Sequence, residues 1–133
     1  LGEDDRAYLL ARAIQFFAPG VPQVYYMGLL AGENDYELMR RTDFPRNISR
    51  HNYTVEEIEK EVQKPVVKEL CALMRIRNEY PAFDEGFQVS DLPDDRLEII
   101  RESNGCRAVL TADLKTKAFR ISCADSAFDY EMK

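Results

Sequence analysis

Apolar residues at Leu10, Ala13, Ile14 and Phe17 follow the i, i+3, i+4, i+7 spacing of a buried helical stripe. Asp4 or Asp5 stands where a first helix would be capped, and Pro19-Gly20 stops it after Phe17. The next run, Val21–Met27 (VPQVYYM), is short, β-branched and aromatic, and lies between Gly20 and Gly28. Without clean alternation it reads as a strand buried on both faces, as in a parallel sheet. From Gly28 to Tyr53 the chain is punctuated by Gly, Asn and Pro, with one short helix expected around Tyr36–Arg41. A loop of that length inside a compact domain is usually functional or disordered, and its aromatic and arginine content favours function.

Thr54 with Glu57 makes a capping box that opens a helix through about Val62, and Glu56–Glu61 is its solvated face. Pro65 suits a first helical turn. Val66, Leu70, Leu73, Met74 and Arg77 then share a face of a longer helix that ends near Asn78, closed by Pro81. Beyond Phe83 the helical period stops. Arg96–Ser103, Arg107–Asp113 and Lys117–Cys123 read as strands, and Asn104-Gly105 is a hairpin turn between the first two.

This order predicts an α/β segment over residues 1–82 and a small antiparallel β-domain over 83–133. A lone helix–strand–helix cannot cover both faces of its strand, so residues 1–82 require neighbours that this chain does not hold. The β part, standing alone, buries little surface. The chain also begins at Leu1 rather than Met, and a missing N-terminal portion is expected.

Composition narrows the function. At 45% hydrophobic and 32% charged the chain is globular. A net charge of −6 over 133 residues argues against nucleic acid or an anionic membrane as partner. The one dense cationic patch, Arg40, Arg41, Arg46 and Arg50, is diluted by Asp35, Glu37 and Asp43. Cys71, Cys106 and Cys123 are dispersed and His51 is the only histidine, so metal-ligand spacing is absent. Reduced thiols in a cytoplasmic protein are expected. No stretch is long and apolar enough to span a bilayer.

The stretch PGVPQVYYMG (Pro19–Gly28) resembles the last barrel strand of the α-amylase superfamily. Its continuation GLLAGENDYELMRRTDFPRNISRHNYT (Gly28–Thr54), with PVVKEL (Pro65–Leu70) and RNEYPAF (Arg77–Phe83), is similar to sucrose phosphorylase and its close relatives within that superfamily. The resemblance implies the C-terminal segment of a (β/α)8 TIM barrel, with its last strand and flanking helices, followed by a small antiparallel β-domain. It places 28–53 as an active-site loop at the C-terminal end of the strands. The implied reaction is retaining phosphorolysis of an α-glucoside, giving α-glucose 1-phosphate and a released acceptor. The catalytic carboxylates come from earlier strands in that family, so no catalytic residue maps onto this chain. The fragment alone is expected to be inactive. Inorganic phosphate is a co-substrate, and no metal or organic cofactor is implied.

Arg46, in P-R-N-I-S-R-H, parallels the family's G-R-x-I-N-R-H, where the arginine is implied to contact the donor glucosyl unit. Pro45 and Ser49 depart from that pattern and leave the loop shape open. For Arg46 the sugar contact is preferred over a structural salt bridge, since its planar fork serves both uses. Arg50 and His51 are read as loop anchors, Asn34 and Asp35 as helix caps rather than acceptor contacts, Tyr25 and Tyr26 as core rather than sugar-stacking residues, and Cys71 as a small core residue. Three functions are weighed: a sucrose phosphorylase, a related phosphorylase acting on glucosylglycerate, glucosylglycerol or sucrose 6-phosphate, and a non-catalytic carbohydrate-binding module. The last is disfavoured by the absence of Trp and by the uncovered strand. Oligomeric state is not legible, and a homodimer stays open.

Overall fold

The structure, a computed structural model, describes residues 4–132. Its helices are α1 (Asp5–Phe17), α2 (Tyr26–Leu29), α3 (Tyr36–Thr42), α4 (Val55–Glu61) and α5 (Pro65–Glu79). The strands are β1 (Gly86–Val89), β2 (Arg96–Ser103), β3 (Cys106–Asp113), β4 (Phe119–Cys123) and β5 (Tyr130–Met132). Short 3-10 turns occupy Pro45–Ser49, Pro81–Phe83 and Ser126–Phe128. Contacts divide the chain into two compact units, one made of Leu1–Pro22 with Cys71–Lys133 and the other of Gln23–Leu70.

The first unit is built on an antiparallel meander in the order β1-β2-β3-β4-β5. Asn104 and Gly105 both adopt positive φ (51° and 77°), the backbone that a two-residue hairpin needs, and they bring Ser103 opposite Cys106. The register then aligns Ile99 with Leu110, and Leu110 with Ile121, as a buried row across three strands. α1 packs on β2 and β3. Asp4 caps it, accepting from the Arg6 and Ala7 amides (2.9 and 3.1 Å), and also pairs with Lys117. The Lys117 ammonium, with these amides, holds the Asp4 carboxyl below its usual range. Leu9, Leu10, Ala13, Phe16 and Phe17 form the buried stripe of α1. The Tyr80 hydroxyl donates to the Arg107 carbonyl and accepts from the Ala124 amide, so a buried ring meets the sheet with its polar end satisfied.

Arg101 is the exception in this core. It is 2% exposed on β2, opposite the small Ala108, and among the described residues no carboxylate lies within ion-pair distance of it, Asp84 acting from farther away. Its guanidinium donates instead to the carbonyls of Phe17, at the end of α1, and Phe83, in the Pro81–Phe83 turn. It also lies 5.9 and 5.8 Å from the ring centres of Phe83 and Phe87. Burial pushes its pKa down.

The strand expected over Val21–Met27 is not formed. Residues 21–25 carry no ladder, and the backbone turns into α2, with the Leu29 and Leu30 amides bonded to the Tyr25 and Tyr26 carbonyls. A strand covered on both faces needs partners on its edges, and the described residues offer this run none. Val21 is accordingly 90% exposed. Tyr25 and Tyr26 are exposed as well, which overturns their reading as core residues. What the chain displays is a five-stranded antiparallel sheet with helices. Two further readings change. Cys71 is exposed, because the buried stripe of α5 runs through Val66, Val67, Leu70, Leu73 and Ile76 and leaves it off that face. Short strands β1 and β5 also flank the three expected ones.

Arg101→Ala is expected to cost about 3 kcal/mol, because it strips two buried carbonyls of a charged donor and opens a cavity. Urea unfolding would show this as a lower midpoint at unchanged slope, and Arg101→Lys, with one donor centre in place of a fork, should recover only part of it.

Candidate functional site

The second unit holds the long loop, and the loop is ordered by helix ends. Asp35 caps α3, its Oδ1 accepting from the Leu38 amide at 2.7 Å. The Asp35 amide reaches across to the Ile48 carbonyl (2.8 Å), closing residues 35–48 into a compact Ω-shaped lobe. At the far end of α3, Asp43 takes a left-handed φ of 47°, and Asn47 Nδ2 donates to Thr42 Oγ1 at 2.8 Å. The Pro45–Ser49 turn begins on the proline, whose fixed φ suits a first helical position.

Arg46 sits second in that turn, exposed, its carbonyl accepting from Ser49 Oγ. Among the described residues no carboxylate lies within ion-pair distance of it. Arg40, Arg41 and Arg50 are likewise exposed and make no ion pair among the described residues. The lobe thus presents three guanidinium groups, with that of Arg50 just beyond it, the donor type suited to hydroxyl pairs, carboxylates and phosphates.

Behind the arginines lies a polar cluster around His51. Its Nδ1 is 2.8 Å from Asp35 Oδ2, and its Nε2 is 3.6 Å from Glu57 Oε1. Glu57 Oε2 accepts from the Thr54 amide (2.7 Å) while Thr54 Oγ1 accepts from the Glu57 amide (3.2 Å), the capping box of α4 read from the sequence. The Tyr26 hydroxyl donates to the His51 carbonyl (2.9 Å), and the Tyr53 ring meets the imidazole edge-on at 4.6 Å. The Asp35 hydrogen bond, with help from both carboxylates, raises the pKa of His51. The Leu38 amide and then His51 lower that of Asp35, and the Thr54 amide followed by His51 lowers that of Glu57. Burial raises Tyr26 and Tyr53.

Asp35 is therefore a cap and His51 a loop anchor, as the sequence suggested. Asn34 makes one long contact, Nδ2 to the Tyr36 hydroxyl at 3.4 Å. Sequence reasoning missed Tyr26, Tyr53 and the second use of Glu57, since no local spacing joins them to His51. The carboxylates of Asp4 and Asp35 are engaged as helix caps. Among the described residues no group of three His, Cys, Asp or Glu side chains is placed to hold a metal, and no helix is long and apolar enough to cross a membrane.

No family model matches the chain. It is 53% identical over 113 residues to the sucrose 6(F)-phosphate phosphorylase of Thermoanaerobacterium thermosaccharolyticum, a match covering 85% of this chain and 23% of that protein. It is 45% identical over 135 residues to the sucrose phosphorylase of Streptococcus mutans, covering 98% of this chain and 28% of the relative. A crystal structure of sucrose 6F-phosphate phosphorylase from Thermoanaerobacter thermosaccharolyticum superposes with a TM-score of 0.91 at 47% identity, covering 97% of this chain and 26% of the other. The similarity to sucrose phosphorylase and its close relatives read from the motifs is thereby shown. The chain spans about a quarter of the length of these relatives.

Gly32 is where the loop tolerates no side chain. Its amide donates to the Met27 carbonyl at 2.7 Å, and an added Cβ would sit 2.3 Å from the Tyr53 hydroxyl and 3.2 Å from the Met27 carbonyl oxygen. Gly32→Ala is expected to destabilise by about 2 kcal/mol, as overpacking does. Combining it with Tyr53→Phe, which removes the clashing oxygen, should return part of the loss, and a double-mutant cycle on melting temperature measures the coupling.

Proposed function

We propose that this chain is the C-terminal portion of a retaining α-glucoside phosphorylase, which with the preceding portion converts sucrose and phosphate to α-glucose 1-phosphate and fructose. The observation that carries this is the agreement, over nearly the whole chain, with a phosphorylase structure at a TM-score of 0.91 and 47% identity. Exposed apolar residues point the same way. Val55, Ile58 and Val62 on α4, with Tyr25, Tyr36 and Phe44, stand open in the second unit, which suits a surface covered by more of the same protein and does not suit a self-contained binding module.

In this reading residues 1–82 complete a (β/α)8 barrel, with Val21–Tyr25 gaining strand partners from the preceding portion, and residues 83–133 are the appended β-domain. Double displacement needs a nucleophilic carboxylate and an acid/base carboxyl about 5–5.5 Å apart. Both come from the preceding portion. This chain contributes positioning: Arg46 donates to the hydroxyls of the glucosyl unit in the donor subsite, held by the closed lobe of residues 35–48. Phosphate, the co-substrate, releases the glucosyl ester. No metal or organic cofactor takes part. The three free cysteines suit a reducing, cytoplasmic compartment.

A second reading differs in the acceptor. Four exposed arginines, three on the lobe and Arg50 just beyond it, suit a phosphorylated fructosyl acceptor. Glucosylglycerol and glucosylglycerate remain members of the same substrate class.

The test is an assay of the complete protein for phosphate-dependent release of glucose 1-phosphate from sucrose, sucrose 6-phosphate (phosphate on the fructosyl unit) and glucosylglycerate. Release is expected from one of the first two. Arg46→Ala should reduce kcat/KM on the order of 100-fold, the scale of a lost positioning contact. Hydrolysis indifferent to phosphate, or full activity in Arg46→Ala, overturns the reaction or the residue assignment respectively.

A further inference from the structure

We propose that His51 is a positioning residue: its imidazole ties the N-terminus of α3 to the N-terminus of α4 and so holds the lobe that presents Arg46 in a single conformation. The inference rests on the functional reading above only for what the lobe presents; the clamp itself is a matter of geometry.

Four side chains meet the histidine, three at its ring and one at its carbonyl. From the α3 end comes Asp35, which spends one carboxylate oxygen on the Leu38 amide and the other on His51 Nδ1. From α4 comes Glu57, whose Oε2 closes the capping box while its Oε1 faces His51 Nε2. Tyr53 packs edge-on against the ring, and Tyr26, in α2, holds the His51 carbonyl through its hydroxyl. The nearby cations act on these partners, Arg41 on Asp35 and Arg50 on Tyr26. Two helix caps thus share one imidazole, and neither carboxylate is free to relax without releasing an amide at the head of its helix.

The two links differ in their response to protons. With the ring charged, Nδ1–H donates to Asp35 and Nε2–H faces the Glu57 carboxylate in an ion-pair contact of 3.6 Å. Once it is neutral, the single N–H stays on Nδ1 with Asp35, the shorter contact, and the Nε2 lone pair is left facing the Glu57 carboxylate. The histidine pKa is raised by these partners, so its contribution is fully present below the ordinary histidine value of about 6.5 and is lost as pH rises through the higher folded value. Asp35 and Glu57 are lowered, so their share is present above ordinary carboxylate values and fails only as pH falls through the depressed ones. The clamp is therefore complete in mildly acidic solution. It loosens first on the alkaline side, and first at α4.

The experiment uses the complete protein and reads two quantities on His51→Ala, His51→Asn and Glu57→Gln. The first is amide hydrogen exchange at Leu38 and Thr54, the amides held by Asp35 and Glu57, corrected for intrinsic rates, between pH 6 and pH 9. The second is kcat and KM for the active glucoside across the same range. His51→Ala should speed exchange at both amides about 5-fold, the effect of a lost cap. It should also raise KM on the order of 10-fold, with a smaller change in kcat. His51→Asn, which keeps a donor for Asp35, should restore protection at Leu38 but not at Thr54. Glu57→Gln preserves a capping-box acceptor and removes the charge facing Nε2, so it tests the clamp even where the histidine variants fold poorly. It should move the alkaline loss of protection in the wild-type profile to lower pH. Unchanged exchange at both amides in His51→Ala, or an alkaline limb that Glu57→Gln leaves in place, overturns the clamp. A protein inactive on every α-glucoside that still shows the pH-dependent protection upholds the clamp and sinks the phosphorylase reading instead.

Discussion

Backbone pairing decides which apolar runs of this chain become strands. Each extended residue carries an amide and a carbonyl that must find partners, and an antiparallel meander supplies them from residues close in sequence. β2 and β3 are joined by the two residues Asn104 and Gly105, and β3 and β4 by a turn in which the Asp113 carboxylate accepts from the amides of Lys115 and Thr116. Val21–Tyr25 is as β-prone as any of these, yet a parallel strand draws its partners from segments many residues away. Among the described residues the run forms no strand ladder, and it turns into α2. The difference lies in the connection each strand needs, not in its intrinsic preference.

The same accounting explains the buried arginine. Helix ends and 3-10 turns leave carbonyls that cannot be satisfied inside the element. Phe17 ends α1 and Phe83 lies in the turn after α5, and both carbonyls point into the core of the first unit, where water is excluded. A long side chain with several donors in a planar fork can reach both at once, and Arg101 does so with its stem crossing the space above Ala108. Desolvating a guanidinium is expensive. The cost is offset by two charged hydrogen bonds and by the faces of Phe83 and Phe87, and the outcome is a fixed docking of α1 on the sheet that apolar packing alone would leave free to slide.

The local signals in the sequence were accurate where the physics is local. Asp4, Asp35 and the Thr54–Glu57 pair announce helix starts because a cap bonds amides two or three residues on, and Asn104-Gly105 announces a hairpin because few residues tolerate its backbone. Phe119, Ile121 and Cys123 show their alternation plainly. β1 and β5 were not legible: Gly86–Val89 and Tyr130–Met132 are edge strands of three or four residues, and their existence depends on a neighbour already being in place. Cys71, Tyr25 and Tyr26 were misplaced for a related reason, since burial is a property of what surrounds a residue. In the candidate site, the position of Arg46 on the loop could be named from its motif, and the caps beside it from their spacing. The ring of Tyr26, Tyr53 and Glu57 about His51 spans from one end of the loop to the other, and no periodicity encodes such a meeting.

That cluster gives the lobe its particular kind of rigidity. Residues 35–48 have no buried side chain among their helical positions, so apolar packing contributes little to their order. What holds them is a closed set of polar contacts: an amide to Ile48, an amide to Asp35, a side-chain amide to Thr42, and the shared imidazole. Such a lobe is cheap to open and exact when closed, because each contact is directional and each is individually weak. Directional contacts of this kind fix where the exposed guanidinium groups of the lobe stand. An apolar clamp would bring stability without direction, and the exposed guanidinium groups would then have no fixed place from which to donate.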